Sequence, residues 1–411
     1  MRGPRGSTSE RPWGPRHPWR SVAPGAVAAL LLALHAPPAR AQASTGNWCT
    51  PGQLPGLIIY PYYSNPVYDL RRKVGADPAL GAAIDAAIND PERNEKNYWH
   101  GKGRLDLYQL LYGWARFMPQ QDNVANYYNQ FSALFLNTTV DNPQDPAAKK
   151  LNGPDKLLQN PTFDAWLDAY VKFQGKYLDG GDSGRIINCW MQATGIDMDQ
   201  YIIPYKGYGS FNEFFTRGLK PDARPVAGLS EARAIVAPGD CNLQPALQID
   251  TPQTELLVKG EMLDVEQLLK GSTHATDFNG GAALVCRLEV YNYHRMHAPV
   301  DGKVIETGLI PGQYYGEPLN FGILTKNHRG YVLIQTDNYG LVGVVPVGIA
   351  TISSVNITVK PGDVVRKGDE MGFFKYGGSV IVMLFQRSRL NLEPYRHMGE
   401  RLGIMNDVAA K

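Results

Sequence analysis

The character of the sequence changes near residue 230, and this change limits the folds open to the chain more than any other feature. From about residue 63 to 200, apolar residues recur at the three- and four-residue spacing that is typical of helices. After about residue 230, short β-branched runs alternate with Gly, Pro and Asp, a pattern typical of strands. We therefore expect an α+β fold, in which a helical N-terminal region packs on a β-rich body.

Two apolar stripes define the helical region. The first ends before Pro119 and consists of Leu107, Leu110, Leu111, Trp114, Phe117 and Met118. The second ends at Asp179-Gly180-Gly181 and consists of Trp166, Tyr170, Phe173 and Tyr177. An aromatic stripe at this spacing predicts packing in a core, and a ligand-binding face is the alternative.

Four runs in the second region predict strands. They are VLIQTD (Val332–Asp337), LVGVVPVG (Leu341–Gly348), ATISSVNITV (Ala350–Val359) and SVIVMLF (Ser379–Phe385). Two turns flank a short strand within Val359–Gly372, and APGD near residue 240 returns as APVDG near residue 300. These paired hairpins predict a sandwich-like β-barrel, as in lipoyl-type carrier domains and glucose-permease regulatory domains.

The first 41 residues have the pattern of a secretory signal peptide. Five arginines precede the apolar run Ala26–Ala36, and Ala39-Arg40-Ala41 supplies the small-x-small cleavage pattern. The run of about 11 residues is shorter than the roughly 20 that a membrane-spanning helix needs. We expect a secreted or periplasmic mature protein, soluble or bound at a membrane surface. An uncleaved anchor and a disordered tail are the alternatives.

Charge and cysteine content argue against a nucleic-acid-binding protein and against a metal site. The net charge is +2, but without the first 41 residues 35 basic residues face 38 acidic ones, so nothing indicates a nucleic-acid partner. Cys49, Cys189, Cys241 and Cys286 show no CxxC spacing, and no histidine pattern indicates a metal site. Export permits disulfides, with Cys49–Cys189 the preferred pair and buried free thiols the alternative.

Five segments of the second region, taken together, resemble the phosphatidylserine decarboxylase family. They are FNEFFTRGLKPDARPV (Phe211–Val226), APGD (Ala237–Asp240), YHRMHAPVDGKV (Tyr293–Val304), TKNHRGYVL (Thr325–Leu333) and KYGGSVIVMLF (Lys375–Phe385). They occur in the family's order, whereas residues 46–200 show no match to it. The expected organisation is a signal peptide at 1–41, a mainly helical region at 42–200, and a decarboxylase-like catalytic domain at 201–411.

The chemistry of decarboxylation requires a cofactor. Loss of CO2 from an α-amino acid leaves electrons on the α-carbon, and no protein side chain can accept them. A pyruvoyl group accepts them after forming a Schiff base with the substrate amine, and no pattern of a pyridoxal-phosphate site is evident. The resemblance implies that this group is made from Ser379 when the proenzyme cleaves itself after Gly378. The long and short chains are then expected to remain associated.

The resemblance also implies roles for the site residues. His297 is the base for the Ser379 hydroxyl, and Asp240 is the acid that orients it. His294 acts on the substrate, by returning a proton to the α-carbon. Residues three apart in a strand point to opposite faces, so a turn or bulge at Arg295-Met296 is expected to bring both histidines to one site.

Two positions near these residues differ from the family's usual residue, and a nearby acid is assigned a structural role. Val380 follows the serine where many family members have Thr, and Cys241 follows Asp240 where the family usually has Gly. Asp301 is predicted to form a turn rather than to act as a catalytic acid. Structural packing of both histidines, and a Gly-Gly bulge in place of a cleavage site, are the alternatives to the catalytic interpretation.

The implied activity is that of a carboxy-lyase, converting phosphatidylserine to phosphatidylethanolamine and CO2 in phospholipid biosynthesis. Because that synthesis is normally cytoplasmic, a decarboxylase of a free, including aromatic, amino acid on the same scaffold is the first alternative. An uncleaved hydrolase that uses Ser379, His297 and Asp240 is a further alternative, but Ser379 does not lie in a Gly-x-Ser-x-Gly elbow. A non-enzymatic barrel-sandwich carrier or binding module is another alternative, but the sequence lacks the hairpin-tip lysine pattern that a carrier would show. The sequence is compatible with peripheral membrane contact and a homo-oligomer, and it does not specify the natural substrate.

Overall fold

The computed structural model describes residues 65–89, 98–115, 130–131, 133–135, 157, 160–192, 196–244, 247–249, 265–312, 327–349, 354–376, 378–386, 395–396, 398–399 and 401–404. The predicted signal peptide, Cys49 and the end of the first apolar stripe at Phe117–Pro119 lie outside these residues.

The helices of the first region begin where the sequence signals a start. They are α1 (Pro66–Ala76), α2 (Pro78–Ile88), α3 (Arg104–Trp114), α4 (Pro161–Asp179) and α5 (Ile187–Met191). Asn65, Asp77 and Asn160 cap α1, α2 and α4, and their side chains accept backbone N–H groups at 2.9–3.1 Å. Each cap precedes a proline, whose missing N–H costs nothing at the first helical position.

Helix α4 carries the second aromatic stripe into the core. The side chains of Trp166 and Tyr170 are buried, and their polar atoms donate to the carbonyls of Pro66 and Leu111, both at 2.7 Å. These two bonds join α4 to α1 and α3. The predicted core packing is confirmed at these positions, and α4 ends at its cap Gly180 as the sequence indicates. None of the described helices combines the length and hydrophobicity needed to cross a membrane.

The second region is dominated by strands. They are β1 (Ala234–Val236), β2 (Cys241–Leu243), β3 (Leu247–Gln248), β4 (Ala282–Leu288), β5 (Arg295–His297), β6 (Gly302–Ile310), β7 (Arg329–Gln335), β8 (Leu341–Ile349), β9 (Ser354–Ile357), β10 (Val364–Val365), β11 (Glu370–Lys375), β12 (Gly378–Phe385), β13 (Tyr395–Arg396) and β14 (Arg401–Ile404). The main antiparallel sheet has the order β10-β6-β7-β8-β12-β4-β2-β13, and β3 also pairs with β4. Smaller sheets are formed by β5-β11-β9 and by β1-β14.

Strand β12 lies inside the main sheet and is buried on both faces. Ile381 and Met383 pack into one apolar cluster, while Val380 and Val382 pack into another on the opposite face. This alternation follows from the two-residue period of a strand. Its neighbours β4 and β8 hold it through continuous antiparallel pairing. The start of β12 is therefore fixed on both sides.

Two short helices complete the described elements, α6 (Phe211–Phe215) before the sheets and α7 (Val265–Leu268) between β3 and β4. The 3-10 turns are Ala133–Phe135, Gly181–Ile186, Met198–Gln200 and Ala275–Phe278. Phe211 and Phe215 of α6 pack on the buried ring of Tyr376, at 5.4 Å between centroids in both cases. The predicted α+β class is confirmed, whereas the predicted boundary at residue 200 stays a prediction.

Candidate active site

Ser379 lies at the start of β12, opposite Leu288 of β4 and Gly348 of β8. The residue is 1% exposed, and its Oγ has no hydrogen-bond partner among the described residues. A buried polar group without a partner costs about 1–3 kcal/mol. This hydroxyl directly follows Gly378, at the position where the sequence predicts self-cleavage, and its burial without a partner calls for an explanation.

His294 is buried completely just before β5. Its ring stacks on Phe215 at 4.0 Å, and its Nδ1 lies 2.9 Å from the carbonyl oxygen of Asn292. Because a carbonyl only accepts, Nδ1 carries the proton and Nε2 keeps its lone pair, which has no partner in the described part of the chain. Burial lowers the pKa of His294 to about 3, against the opposing effect of the Asn292 bond. The imidazole is therefore neutral at pH 7.

His297, at the end of β5, has a different environment. Its Nδ1 donates to the carbonyl of Gly368 at 2.7 Å, and its Nε2 accepts from the hydroxyl of Tyr293 at 2.9 Å. Burial lowers the pKa of His297, while the Gly368 bond and the charges of Glu370 and Asp240 act in the opposite direction. Both ring nitrogens of His297 therefore have partners, whereas only Nδ1 of His294 has one among the described residues.

The buried carboxylate of Asp240 bonds to Arg224 and to the backbone of Met398 rather than to His297. One carboxylate oxygen accepts from Nη2 of Arg224 at 2.8 Å, and the other accepts from Arg224 Nε at 3.2 Å and from the backbone N–H of Met398 at 2.8 Å. No bond between Asp240 and His297 is present among the described contacts. The structure thus places the predicted acid near the predicted base, without the direct contact that an orienting role would need.

The predicted bulge at Arg295-Met296 is wrong, because the irregularity lies on the facing strand. The pairing of β5 with β11 shifts between Glu370 and Gly372, so β11 carries the extra residue. Gly372 permits this, since a Cβ there would collide with Met296 and with the backbone of Asn356. The two histidines differ in surroundings because His294 precedes the strand whereas His297 ends it.

These residues lie within a region that matches known proteins. A family model described as phosphatidylserine decarboxylase matches residues 211–404. A phosphatidylserine decarboxylase proenzyme of Ruminiclostridium cellulolyticum is 34% identical over 246 residues, which are 59% of this chain and 81% of that relative. The chain belongs to the phosphatidylserine decarboxylase family.

Further relatives show the same coverage of this chain. A phosphatidylserine decarboxylase proenzyme of Fusobacterium nucleatum is 29% identical over 270 residues, or 60% of this chain and 89% of that relative. Phosphatidylserine decarboxylase proenzyme 3 of Schizosaccharomyces pombe is 33% identical over 247 residues, but this chain spans only 25% of its length. The family resemblance predicted from the five segments is confirmed.

Cys241, which departs from the family's usual Gly, forms a disulfide with Cys286. The bond joins β2 to β4, with 5.4 Å between the two Cα atoms. Cys189 is also disulfide-bonded, and its preferred partner Cys49 lies outside the described residues. The alternative of free thiols is therefore wrong for the described cysteines. Since Cys241 follows Asp240, its disulfide ties the backbone of this family site to the strand beside β12.

Several contacts of the family site were not identified from sequence. Arg224 and Tyr293 lie within matched segments, so the sequence placed these residues near the site but did not identify their hydrogen-bond partners. Phe215, the ring under His294, also belongs to a matched segment. Gly368 and Lys367 lie in a hairpin turn whose only signal was the Gly-Asp pair that recurs at 362–363 and 368–369.

A cleft of about 890 Å³ lies between α4 and the body. Its wall carries both signs of charge, from Asp164, Asp168, Asp179, Lys172, Lys176 and Lys375. The carbonyl of His328 accepts from Gly348, the residue opposite Ser379, and Lys375 precedes Gly378 by three residues. The cleft lies between α4 and the body, and its lining among the described residues does not include Ser379, His294 or His297.

Proposed function

We propose that this carboxy-lyase cleaves itself between Gly378 and Ser379 and then converts phosphatidylserine to phosphatidylethanolamine and CO2. The observation that carries the proposal is a pair of buried, unpartnered atoms, Ser379 Oγ and His294 Nε2, in segments that match the family. Reactive groups are kept without protein partners where a reaction uses them. The relatives' names supply the substrate.

Maturation begins with the attack of Ser379 Oγ on the carbonyl carbon of Gly378. The new C–O bond replaces the C–N bond, and the proton taken from the hydroxyl is returned to the amide nitrogen. Loss of the Ser379 α-proton then expels the Gly378 carboxylate and leaves a dehydroalanine. Addition of water releases ammonia and leaves a pyruvoyl group at position 379. Gly378 has no side chain to obstruct the attack.

His297 is the base that we assign to this attack. With Nδ1 bonded to Gly368, the lone pair lies on Nε2, and the lowered pKa keeps the ring neutral at pH 7. In the uncleaved chain the Tyr293 hydroxyl donates to that lone pair. The Ser379 proton therefore reaches His297 either by relay through the Tyr293 hydroxyl or after that hydroxyl has been displaced. Asp240 contributes through its charge, which raises the pKa of His297.

His294 is the residue that we assign to the substrate. Once formed, the pyruvoyl group supplies the electron sink that decarboxylation requires. Because His294 is neutral at pH 7, it must first take a proton before it can return one to the α-carbon. The carbonyl of Asn292 fixes the ring so that Nε2 is the nitrogen that exchanges that proton.

An exposed apolar turn supports a lipid as the substrate. Ile202 and Ile203 are 52% and 45% exposed, and Tyr205 is fully exposed beside Lys206. Apolar and aromatic side chains next to a lysine suit the surface of a bilayer. Tyr201, at the base of the turn, lies 6.3 Å from the ring of Tyr293. We therefore propose peripheral membrane contact on the side of the active site.

We also propose that the protein is exported from the cytoplasm. The Cys241–Cys286 disulfide supports a secreted or periplasmic location, because disulfides persist in oxidising compartments. The signal-like pattern of residues 1–41 supports the same location.

The test uses Ser379→Ala beside the unchanged protein. The unchanged chain is expected to give two bands on a denaturing gel and to release CO2 from phosphatidylserine vesicles. Ser379→Ala should stay as one folded, inactive chain, since it lacks the attacking hydroxyl. Cleavage of this variant at the same bond would disprove the role of Ser379. Release of CO2 from free amino acids but not from vesicles would show that the substrate is a free amino acid, while the proposed decarboxylation chemistry would stand.

A further inference from the structure

Arg217 is a buried arginine whose partners are backbone carbonyls rather than a carboxylate. It follows α6 by two residues and is 2% exposed. Its Nη2 donates to the carbonyls of Tyr291 at 2.9 Å and of Asn292 at 3.2 Å, and its Nη1 lies 3.4 Å from the carbonyl of Phe214. Its Nε has no hydrogen-bond partner among the described residues. Because removal of a charge from water is costly, the burial of this guanidinium calls for a reason.

The Asn292 carbonyl joins Arg217 to His294. It accepts from Nη2 of Arg217 and from Nδ1 of His294, and a carbonyl oxygen has lone pairs for both. Asn292 is also bonded to Glu289, through its backbone N–H at 2.9 Å and its Oδ1 at 2.6 Å. Neither of these bonds uses the Asn292 carbonyl. Arg217 is therefore the group, besides His294 itself, that holds the direction of this carbonyl.

The two residues before Arg217 hold the same segment. The ring of Phe215 stacks on that of His294 at 4.0 Å, and the carbonyl of Thr216 accepts from Nε of Arg295 at 2.8 Å. Three successive residues thus contact the imidazole, the residue after it and the carbonyl that accepts from it. None of these contacts involves the residues assigned to self-cleavage, so the segment serves His294 alone.

Aromatic rings, rather than an acid, hold the guanidinium of Arg217 in place. Its central carbon lies 4.3 Å from the ring centre of Tyr201 and 5.0 Å from that of Phe214. Arg329, also 2% exposed, shows the contrasting case of an arginine that joins segments. Each of its three nitrogens has a carbonyl partner, two of them in α7. Arg217 instead directs one nitrogen to two adjacent carbonyls beside a histidine.

We propose that Arg217 is a positioning residue for His294, which fixes the Asn292 carbonyl against Nδ1 and so keeps Nε2 as the nitrogen that meets the substrate. The inference rests on the proposed role of His294 and leaves self-cleavage unaffected. The charge of Arg217 acts together with the larger effect of burial to lower the pKa of His294, which favours the neutral ring. Without the guanidinium the carbonyl is free to turn away, and the proton on Nδ1 loses its acceptor.

The experiment measures the cleaved fraction and the CO2 release per cleaved molecule on phosphatidylserine vesicles. Arg217→Met should lower kcat about tenfold with KM and cleavage unchanged, since displacement of a catalytic group by about 1 Å can cost about 10²-fold. Arg217→Lys keeps a charged donor and should recover part of the rate. Arg185→Met is the matched control, because it removes a partly exposed guanidinium from the 3-10 turn that bonds to α6. It should leave every quantity unaltered.

A second readout depends neither on cleavage nor on the substrate. In the Ser379→Ala proenzyme, nitrogen-15 spectra should show His294 protonated at Nδ1. Addition of Arg217→Met should populate the tautomer protonated at Nε2, whereas addition of Arg185→Met should not. If Arg217→Met does not fold, Arg217→Lys is measured in its place and should show a smaller change of the same kind.

An unchanged tautomer in the folded Arg217 variant, or an unchanged kcat in Arg217→Met and Arg217→Lys, would overturn the inference. Slower self-cleavage with normal CO2 release per cleaved molecule would also overturn it, because the residue would then serve maturation. Failure of the unchanged chain to cleave or to release CO2 would instead contradict the proposed function, and the tautomer of His294 would still test the positioning role.

Discussion

At the scale of single residues, the two histidines of one short segment differ because each has its own buried partners. His294 stacks on Phe215 and keeps a lone pair without a partner, whereas His297 is bonded at both ring nitrogens. We propose that this difference separates their roles, with His297 serving maturation and His294 serving the substrate.

The residue-scale prediction is that the two functions separate by mutation. His297→Ala should accumulate uncleaved proenzyme, and Asp240→Ala should do so partly through loss of its charge. His294→Ala should still cleave, but its CO2 release per cleaved molecule should fall by about 10²-fold or more, as expected for loss of a general acid–base. The measurements are the cleaved fraction on a gel and the rate of CO2 release. Blocked cleavage in His294→Ala with normal maturation of His297→Ala would reverse the assignment.

At the scale of elements, position in the sheet decides what each strand contributes. Strand β12 is paired on both sides, so the Gly-Ser bond at its start is held in one geometry. Strand β5 lies at the edge of a small sheet, where the bulge of β11 adjusts how the histidines are presented. The exposed turn after Tyr201 belongs to neither sheet and carries the apolar residues proposed to meet a membrane.

The element-scale prediction concerns that turn. Ile203→Asp should weaken sedimentation with vesicles that contain phosphatidylserine and raise the KM for vesicles, because a charge replaces apolar contact with the bilayer. Self-cleavage and kcat should be retained. Leu105→Asp, at an apolar residue 69% exposed on α3, is the matched control and should bind as the unchanged protein does. Equal binding by both variants would exclude the turn as the contact.

At the scale of the whole molecule, helix α4, which precedes the segment matched by the family model, forms one wall of a cleft against the body. Helix α4 supplies acidic and basic side chains to this cleft, and His328 and Lys375 face them from the body. The ion pair of Lys375 with Asp179 at the end of α4 joins the two parts directly.

The whole-molecule prediction is that the long chain begins after the signal-like segment. Export with cleavage at Ala39-Arg40-Ala41 should give an N-terminus at Gln42, or at Ser44 if Ala41-Gln42-Ala43 is the site used. N-terminal sequencing of the long chain measures this directly. Recovery of residues before Arg20 in the mature protein would contradict the export proposal.

The sequence by itself determined the features that depend on near neighbours. Helix starts at Asx-Pro pairs, the alternating faces of β12 and the family segments around Ser379, His294 and His297 could all be predicted, because each is encoded within a few residues. This local information also sufficed for the α+β class and for core packing of the stripe on α4.

Only the tertiary structure decided which distant groups these residues meet. His297 bonds to Gly368 across 71 positions, and the Cys241–Cys286 disulfide spans 45. The bulge of β11, and the engagement of Asp240 by Arg224, likewise depend on how segments pack side by side. Since a buried donor must find an acceptor wherever packing places one, the partner is a property of the fold rather than of the motif.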